Sequence, residues 1–97
     1  FIKAAAVAEA SGLKVCIHGN FETSITTCAA HQAGLVIPNL DDANQIMGNF
    51  LNEDVIESPS MVPIKGRLSA IDRPGLGFEL NLDSVARAAK AYSQLPV

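Results

Sequence analysis

The chain's 97 residues are enough for one small domain, and 48% hydrophobic against 18% charged residues excludes a disordered, solvated tail. Net charge is −3, and the seven Lys and Arg residues are scattered without interleaved aromatics, which excludes the basic stripe that binds nucleic acid or an anionic membrane. The longest apolar run, residues 4–8, is far too short to span a bilayer.

The apolar content is made of small side chains: 14 alanines, five aromatics and no Trp. Small residues let elements press closely together. A small free-standing body carries much surface for its volume and usually more charge to cover it, so the composition predicts a piece of a larger packed body. The chain opens on Phe1 with no initiator Met, and no signal-peptide pattern precedes its first helix. Two cysteines without a secretory signal predict a reducing, cytoplasmic setting.

In chain order, residues 1–11 carry Ile2, Ala5, Ala6 and Glu9 at helical spacing, and Gly12 follows as a cap. Residues 13–17 (LKVCI) form a short apolar run that reads as a strand buried on both faces. Residues 18–20 are loop chemistry, and residues 23–33 read as a second helix ended by Gly34. Residues 35–37 (LVI) read as another strand, stopped by Pro38, and Asp41 or Asp42 caps a third helix to about Leu51. Short apolar strands joined by a helical crossover are the pattern of parallel β/α units. Two such strands make no stable sheet alone, so the pattern calls for further strands elsewhere.

The second half differs. Residues 52–63 hold two prolines, two serines and three acids and read as an irregular surface segment. Residues 64–71 suggest a short strand or a hairpin limb around Gly66, residues 72–75 (DRPG) a turn, and residues 76–80 a strand. Asn81 or Asp83 then caps a helix through Tyr92, with Val85, Ala88, Ala89 and Tyr92 on one face.

The candidate chemistry centres on residues 18–24 (HGNFETS), between a buried strand and a helix. In α/β folds that junction lies at the C-terminal edge of the sheet, where ligands bind. A His at position 18 is a candidate general acid/base. Gly19 lets a substrate approach the backbone, and Glu22 opens the helix, where the dipole favours a carboxylate. The same residues also suit a plain loop His and a helix-initiating Glu. After the next strand, Asn39 and Asp41 alternate toward the same rim, while Asp41 or Asp42 equally serves as a helix cap. Cys28 and His31 share a helix face, but with Cys16 and His18 they lack the tight pairing of structural zinc sites. Buried, inert cysteines are the better reading. The Gly-x-Gly of residues 75–77 opens no helix and reads as a tight entry into an edge strand.

Three segments together resemble one family: residues 13–24 (LKVCIHGNFETS), residues 38–41 (PNLD), and residues 65–68 (KGRL) through 74–80 (PGLGFEL). They are similar to the C-terminal third of the enolase superfamily, in its mandelate racemase and muconate lactonizing subgroup. The resemblance implies an α/β fold: the end of a modified (β/α)7β TIM-like barrel, with residues 1–60 as its last β/α units and residues 61–97 returning to a missing α+β capping domain. Residues 13–17 are then the seventh strand and residues 35–37 the eighth. The implied chemistry is abstraction of the proton α to a carboxylate with Mg²⁺ as cofactor, whose ligands belong to earlier strands; this chain supplies none. His18 matches the general base of racemase-like members, which points to a racemase, epimerase or acid-sugar dehydratase. A cycloisomerase of the same superfamily is the alternative, and a non-catalytic α/β binding module the rival from another class. Asp41 stands nearest the eighth-strand acid, where the family has a Glu, and Asn39-x-Asp41 half-resembles the paired acids of dipeptide epimerases. Gly19, Glu22 and Asn39 are the implied substrate contacts. A small carboxylate substrate and a homo-oligomer complete the expectation.

Overall fold

The computed structural model describes residues 1–96. Its elements are α1 (Ile2–Ala10), α2 (Ser24–Gly34), a 3₁₀ turn (Gly48–Phe50), β1 (Ile56–Ser58), β2 (Glu79–Leu80) and α3 (Leu82–Ser93). The three helices stand where alanine content, caps and periodicity put them. Gly12, at φ +69°, turns the chain out of α1, a conformation glycine adopts without penalty. Asn81 rather than Asp83 caps α3, its side-chain oxygen accepting from Ser84 N at 3.0 Å.

The strand pairing departs from expectation. Residues 13–17 are extended, but their parallel partner is the stretch around Leu40, not residues 35–37. Val15 N donates to Asn39 O at 3.0 Å, Asp41 N to Val15 O at 2.7 Å, and Gln45 N to Ile17 O at 2.9 Å. Leu35 and Val36 form a turn at the end of α2, where Leu35 N returns to His31 O and Ile37 N to Gly34 O. Those donors complete the helix end and are not free for a ladder. The expected third helix from Asp41 is absent for the complementary reason. The Asp41 and Gln45 amides bond to the carbonyls of Val15 and Ile17, with a bend at Asp42 between them, so no helix starts before the 3₁₀ turn.

β1 lies within the stretch read as irregular and pairs antiparallel with β2, with a bulge between Ile56 and Ser58. Lys65 (φ +51°) and Gly66 (φ +75°) make the two-residue tip of a tight turn closed by Ile64 and Arg67, which bond to each other at 2.9 and 3.1 Å. His31 Nε2 donates to Ser69 O at 2.8 Å and Gln32 Nε2 to Ile71 O at 3.2 Å, tying this second half to the flank of α2.

Little is enclosed. The buried apolar residues are Ala5, Cys28, Ile37 and Met61. Accessible surface is 7213 Å², where a folded monomer of 10.2 kDa exposes about 5,300 Å². The radius of gyration is 15.5 Å, against about 12.5 Å for a compact chain of this length. Phe1 before α1, Ile2 and Val7 on it, and Leu82 and Tyr92 on α3 are all more than half exposed. The composition's excess of apolar residues therefore appears as open faces rather than as a core.

Candidate active site

The candidate site is the loop that leaves residue 17 and enters α2. Ile17 and Leu40 face the helix: a Cβ added at Gly34 would lie 3.0 Å from Ile17 Cδ1 and 3.4 Å from Leu40 Cδ2. Along an extended chain neighbouring side chains alternate, so Lys14, Cys16 and His18 belong to the opposite face. Lys14 Nζ lies 3.8 Å from Asp41 Oδ1, which puts Asp41 on that face as well. His18 and Cys16 are exposed there.

His18 and Asp41 share a face but not a level. Asp41 bonds through its backbone to Val15, and at Ile17, beside His18, the partners are Asn44, whose Oδ1 accepts from Ile17 N at 2.8 Å, and Gln45, whose N donates to Ile17 O. Asp41 Oδ1 is also occupied locally, accepting from Asp42 N at 2.8 Å. Asn39 sits at the other end of the extended segment. Its side-chain amide donates to Ala5 O at 3.1 Å and Leu13 O at 3.0 Å, fastening α1 to the start of the segment. The structure therefore brings Gly19 and Glu22 together in the loop that follows His18, and does not bring Asn39 to them.

Gly19 is buried, and the reason is Glu22. A Cβ on Gly19 would meet the Glu22 carboxyl group, with Oε2 at 3.0 Å and Cδ at 3.1 Å. The carboxylate curls back over the loop and accepts a hydrogen bond from Asn20 N. Phe21 takes φ +58°, which a bulky residue adopts only when its surroundings hold it there. Its ring meets Phe50 edge-on, with centroids 6.0 Å apart and planes at 76°.

The start of α2 is capped from a distance. Thr23 makes no side-chain cap bond. Asp54 Oδ1 instead accepts from Ser24 N at 3.1 Å and from Val55 N at 2.7 Å. The same carboxylate assists burial, the larger cause, in pushing the Cys28 thiol above its ordinary range. Cys28 is fully enclosed, as an inert structural thiol would be.

Two concavities flank α2. One of about 500 Å³ lies over its N-terminus, between Ser24, Asp54 and Met61. The other, about 760 Å³, lies on the helix-facing side and is lined by Ile17, Thr27, His31, Leu40 and Arg67 among others. His18 borders neither, as its opposite facing requires. Among the described residues no three His, Cys, Asp or Glu side chains converge as a metal site would need. Gln45, Phe50 and Asp54 escaped sequence reasoning. Gln45 was hidden by the register. Phe50 and Asp54 lie about 30 residues along the chain from the groups they touch.

The family model described as "Enolase C-terminal domain-like" matches residues 1–85. A chloromuconate cycloisomerase from Cupriavidus pinatubonensis (strain JMP 134 / LMG 1197) is 35% identical over 89 residues. The match covers 91% of this chain and 24% of that protein, so the chain spans about a quarter of that relative's length.

Proposed function

The chain belongs to the enolase C-terminal domain-like family, and from that premise we propose that it is the C-terminal part of an enzyme that abstracts the proton α to a carboxylate, with His18 as general acid/base. The observation that carries the reading is the position of His18. It leaves the end of an extended segment, on the face turned away from α2, at the edge where α/β folds place their chemistry. Residues 13–17 and 39–45 are then the last two strands of a (β/α)7β barrel, with that face inward.

In this reading His18 takes the proton from the substrate's α-carbon and returns it, or passes it to a leaving group. Glu22 holds the loop that carries His18, and Gly19 leaves space for the Glu22 carboxylate. Gln45 bonds through its backbone to Ile17 and borders the cavity on the helix-facing side, so it is not assigned to the substrate. Asp41, assigned catalysis on sequence grounds, is two to three residues lower and paired with Lys14; Asn39 supports the strand from below.

Mg²⁺ is the cofactor that the resemblance implies. Among the described residues no three acids converge on a cation, and four are engaged elsewhere: Asp41 with Lys14, Glu22 with Asn20 N, Glu53 with Arg87 and Asp54 with Ser24. The Mg²⁺ ligands in this reading come from earlier strands. Residues 61–97 return to a capping domain that covers α3, and a small carboxylate, a homo-oligomer and a cytoplasmic setting belong to the same reading.

A second reading is favoured by the cycloisomerase relative: ring closure or opening within the same superfamily, with the same enolate chemistry. The two separate on one experiment in the intact protein. With small α-substituted carboxylates in D₂O, a racemase, epimerase or dehydratase with His18 as base loses α-deuterium incorporation by at least about 100-fold in His18→Asn while keeping Mg²⁺ affinity. Undiminished exchange in that variant removes His18 from the chemistry and leaves the cycloisomerase reading.

A further inference from the structure

Resting on that reading, we infer that Asp54 is a positioning residue for the His18 loop, acting through the N-terminus of α2. The loop from His18 to Thr23 contributes little to its own conformation. Phe21 holds a backbone angle of φ +58° that its side chain disfavours, and Thr23 leaves the helix start uncapped. What holds both is a single distant segment, residues 48–54. Phe50 packs edge-on against Phe21. The backbone of Gly48 runs beside the loop, where an added Cβ would stand 3.9 Å from Glu22 O and 4.0 Å from Ser24 Oγ. Asp54 closes the arrangement with one oxygen shared between Ser24 N and Val55 N, at 3.1 and 2.7 Å.

The chemistry of these bonds favours Asp at this place. The first amides of a helix carry partial positive charge and need an acceptor; a carboxylate is the strongest one a side chain offers. Ser24 is 5% exposed, and Asp54 stands beside it at the edge of the concavity over the helix start. A local Ser or Asp at position 23 would cap the helix equally well but would leave the loop free to swing with it. A cap supplied from 30 residues away couples the loop to the segment that follows the 3₁₀ turn. Asp54 thereby fixes where α2 begins, and with it the path of the five residues that separate His18 from the helix. It touches no substrate in this account. Its effect is on the aim of the imidazole, and misplacement of a base by about 1 Å costs on the order of 100-fold in rate.

The test compares Asp54→Ala and Asp54→Asn in the intact protein. Two readouts are taken: α-deuterium exchange into small α-substituted carboxylates with Mg²⁺ present, resolved into kcat and KM, and hydrogen exchange of the Ser24 amide. Asp54→Ala is expected to lower kcat by about tenfold or more with KM within about threefold, and to speed Ser24 amide exchange about tenfold. Asp54→Asn retains an acceptor oxygen and is expected to restore both to within about threefold. Wild-type kcat in Asp54→Ala alongside a deprotected Ser24 amide overturns the inference, since the cap would then be structural only. An unaltered Ser24 amide overturns the clamp itself. If Asp54→Ala does not fold, Phe50→Leu loosens the second contact. It must lower kcat at unchanged KM by about threefold, and no loss there overturns the inference. If the unsubstituted protein exchanges no α-proton, the proton-abstraction reading fails and this inference with it; active wild type with active Asp54→Ala removes only the inference.

Discussion

Helices α2 and α3 are of similar length, and they end in opposite circumstances. Read as a sequence, α3 is the better amphipathic helix, with Leu82, Val85 and Tyr92 on one side and Arg87 and Lys90 on the other. Yet those three apolar residues are 71%, 36% and 78% exposed, and Ser84 is its one buried residue. α2 has weaker periodicity, but Ser24, Thr27, Cys28 and Gly34 are all buried against residues of this chain. The difference teaches what amphipathicity means. A stripe of apolar residues says which face wants cover; it does not say that the cover is in the same chain. α2 meets Ile17 and Leu40, whereas α3 is held by polar bonds from Glu53 and leaves Leu82 and Tyr92 open. In the proposed assembly the missing cover is the capping domain, and the open face of α1 lies against the neighbouring barrel unit.

The two regions are also tied down by different bonds, and substitutions sharpen that contrast. In the first, the Asn39 amide joins two carbonyls, Ala5 O and Leu13 O, in a partly buried place. Asn39→Ala removes both bonds and leaves the acceptors short of a partner. The expected loss is about 1–3 kcal/mol of stability in the intact protein, read from denaturant midpoints. A loss confined to a few tenths would show that the α1 junction contributes no more than a surface contact.

In the second, α3 is held by Glu53, which accepts from Arg87 Nε at 3.1 Å and from Ser84 Oγ at 3.0 Å. The Arg87 hydrogen bond, with a further one from Ser84, keeps the Glu53 carboxyl below the usual glutamate range. The folded state therefore favours the ionised acid. The tether is fully present above the ordinary glutamate range and is lost as pH falls through the lowered folded value. Because the pair is exposed and screened, the effect at neutral pH is the smallest of these. Glu53→Gln is expected to leave neutral-pH stability nearly unchanged and to abolish the acid-dependent release of α3, followed by NMR across a pH titration. Release of α3 at the same pH in the variant would assign the dependence to another group.

How much of this was legible in the sequence follows from range. Local signals placed the three observed helices, since alanine content and periodicity act within a few residues, and they also announced a helix from Asp41 that does not form. The His18 junction was legible too, because an apolar run, a glycine and a helix start are contiguous. The partner strand was not. Residues 35–37 look like a strand because they are apolar, but helix-end hydrogen bonds claim their amides, and the ladder begins beyond Pro38. That displacement sets Asp41 beside Val15, below the level of His18. Asp54 and Phe50 left no signal at all, since a cap and an aromatic contact across about 30 residues have no local pattern to announce them. β1 was masked by the prolines and acids around it.

The central claim is that the open faces of α1 and α3 are interfaces to be covered, not the finished surface of a self-sufficient domain. Thermal unfolding of the isolated 97-residue chain tests it most directly, by calorimetry with an apolar dye present. The account predicts a broad, low-enthalpy change and strong dye binding before heating. A single sharp transition near the roughly 60–80 kcal/mol expected of a cooperative domain this size, with no dye bound, would contradict it.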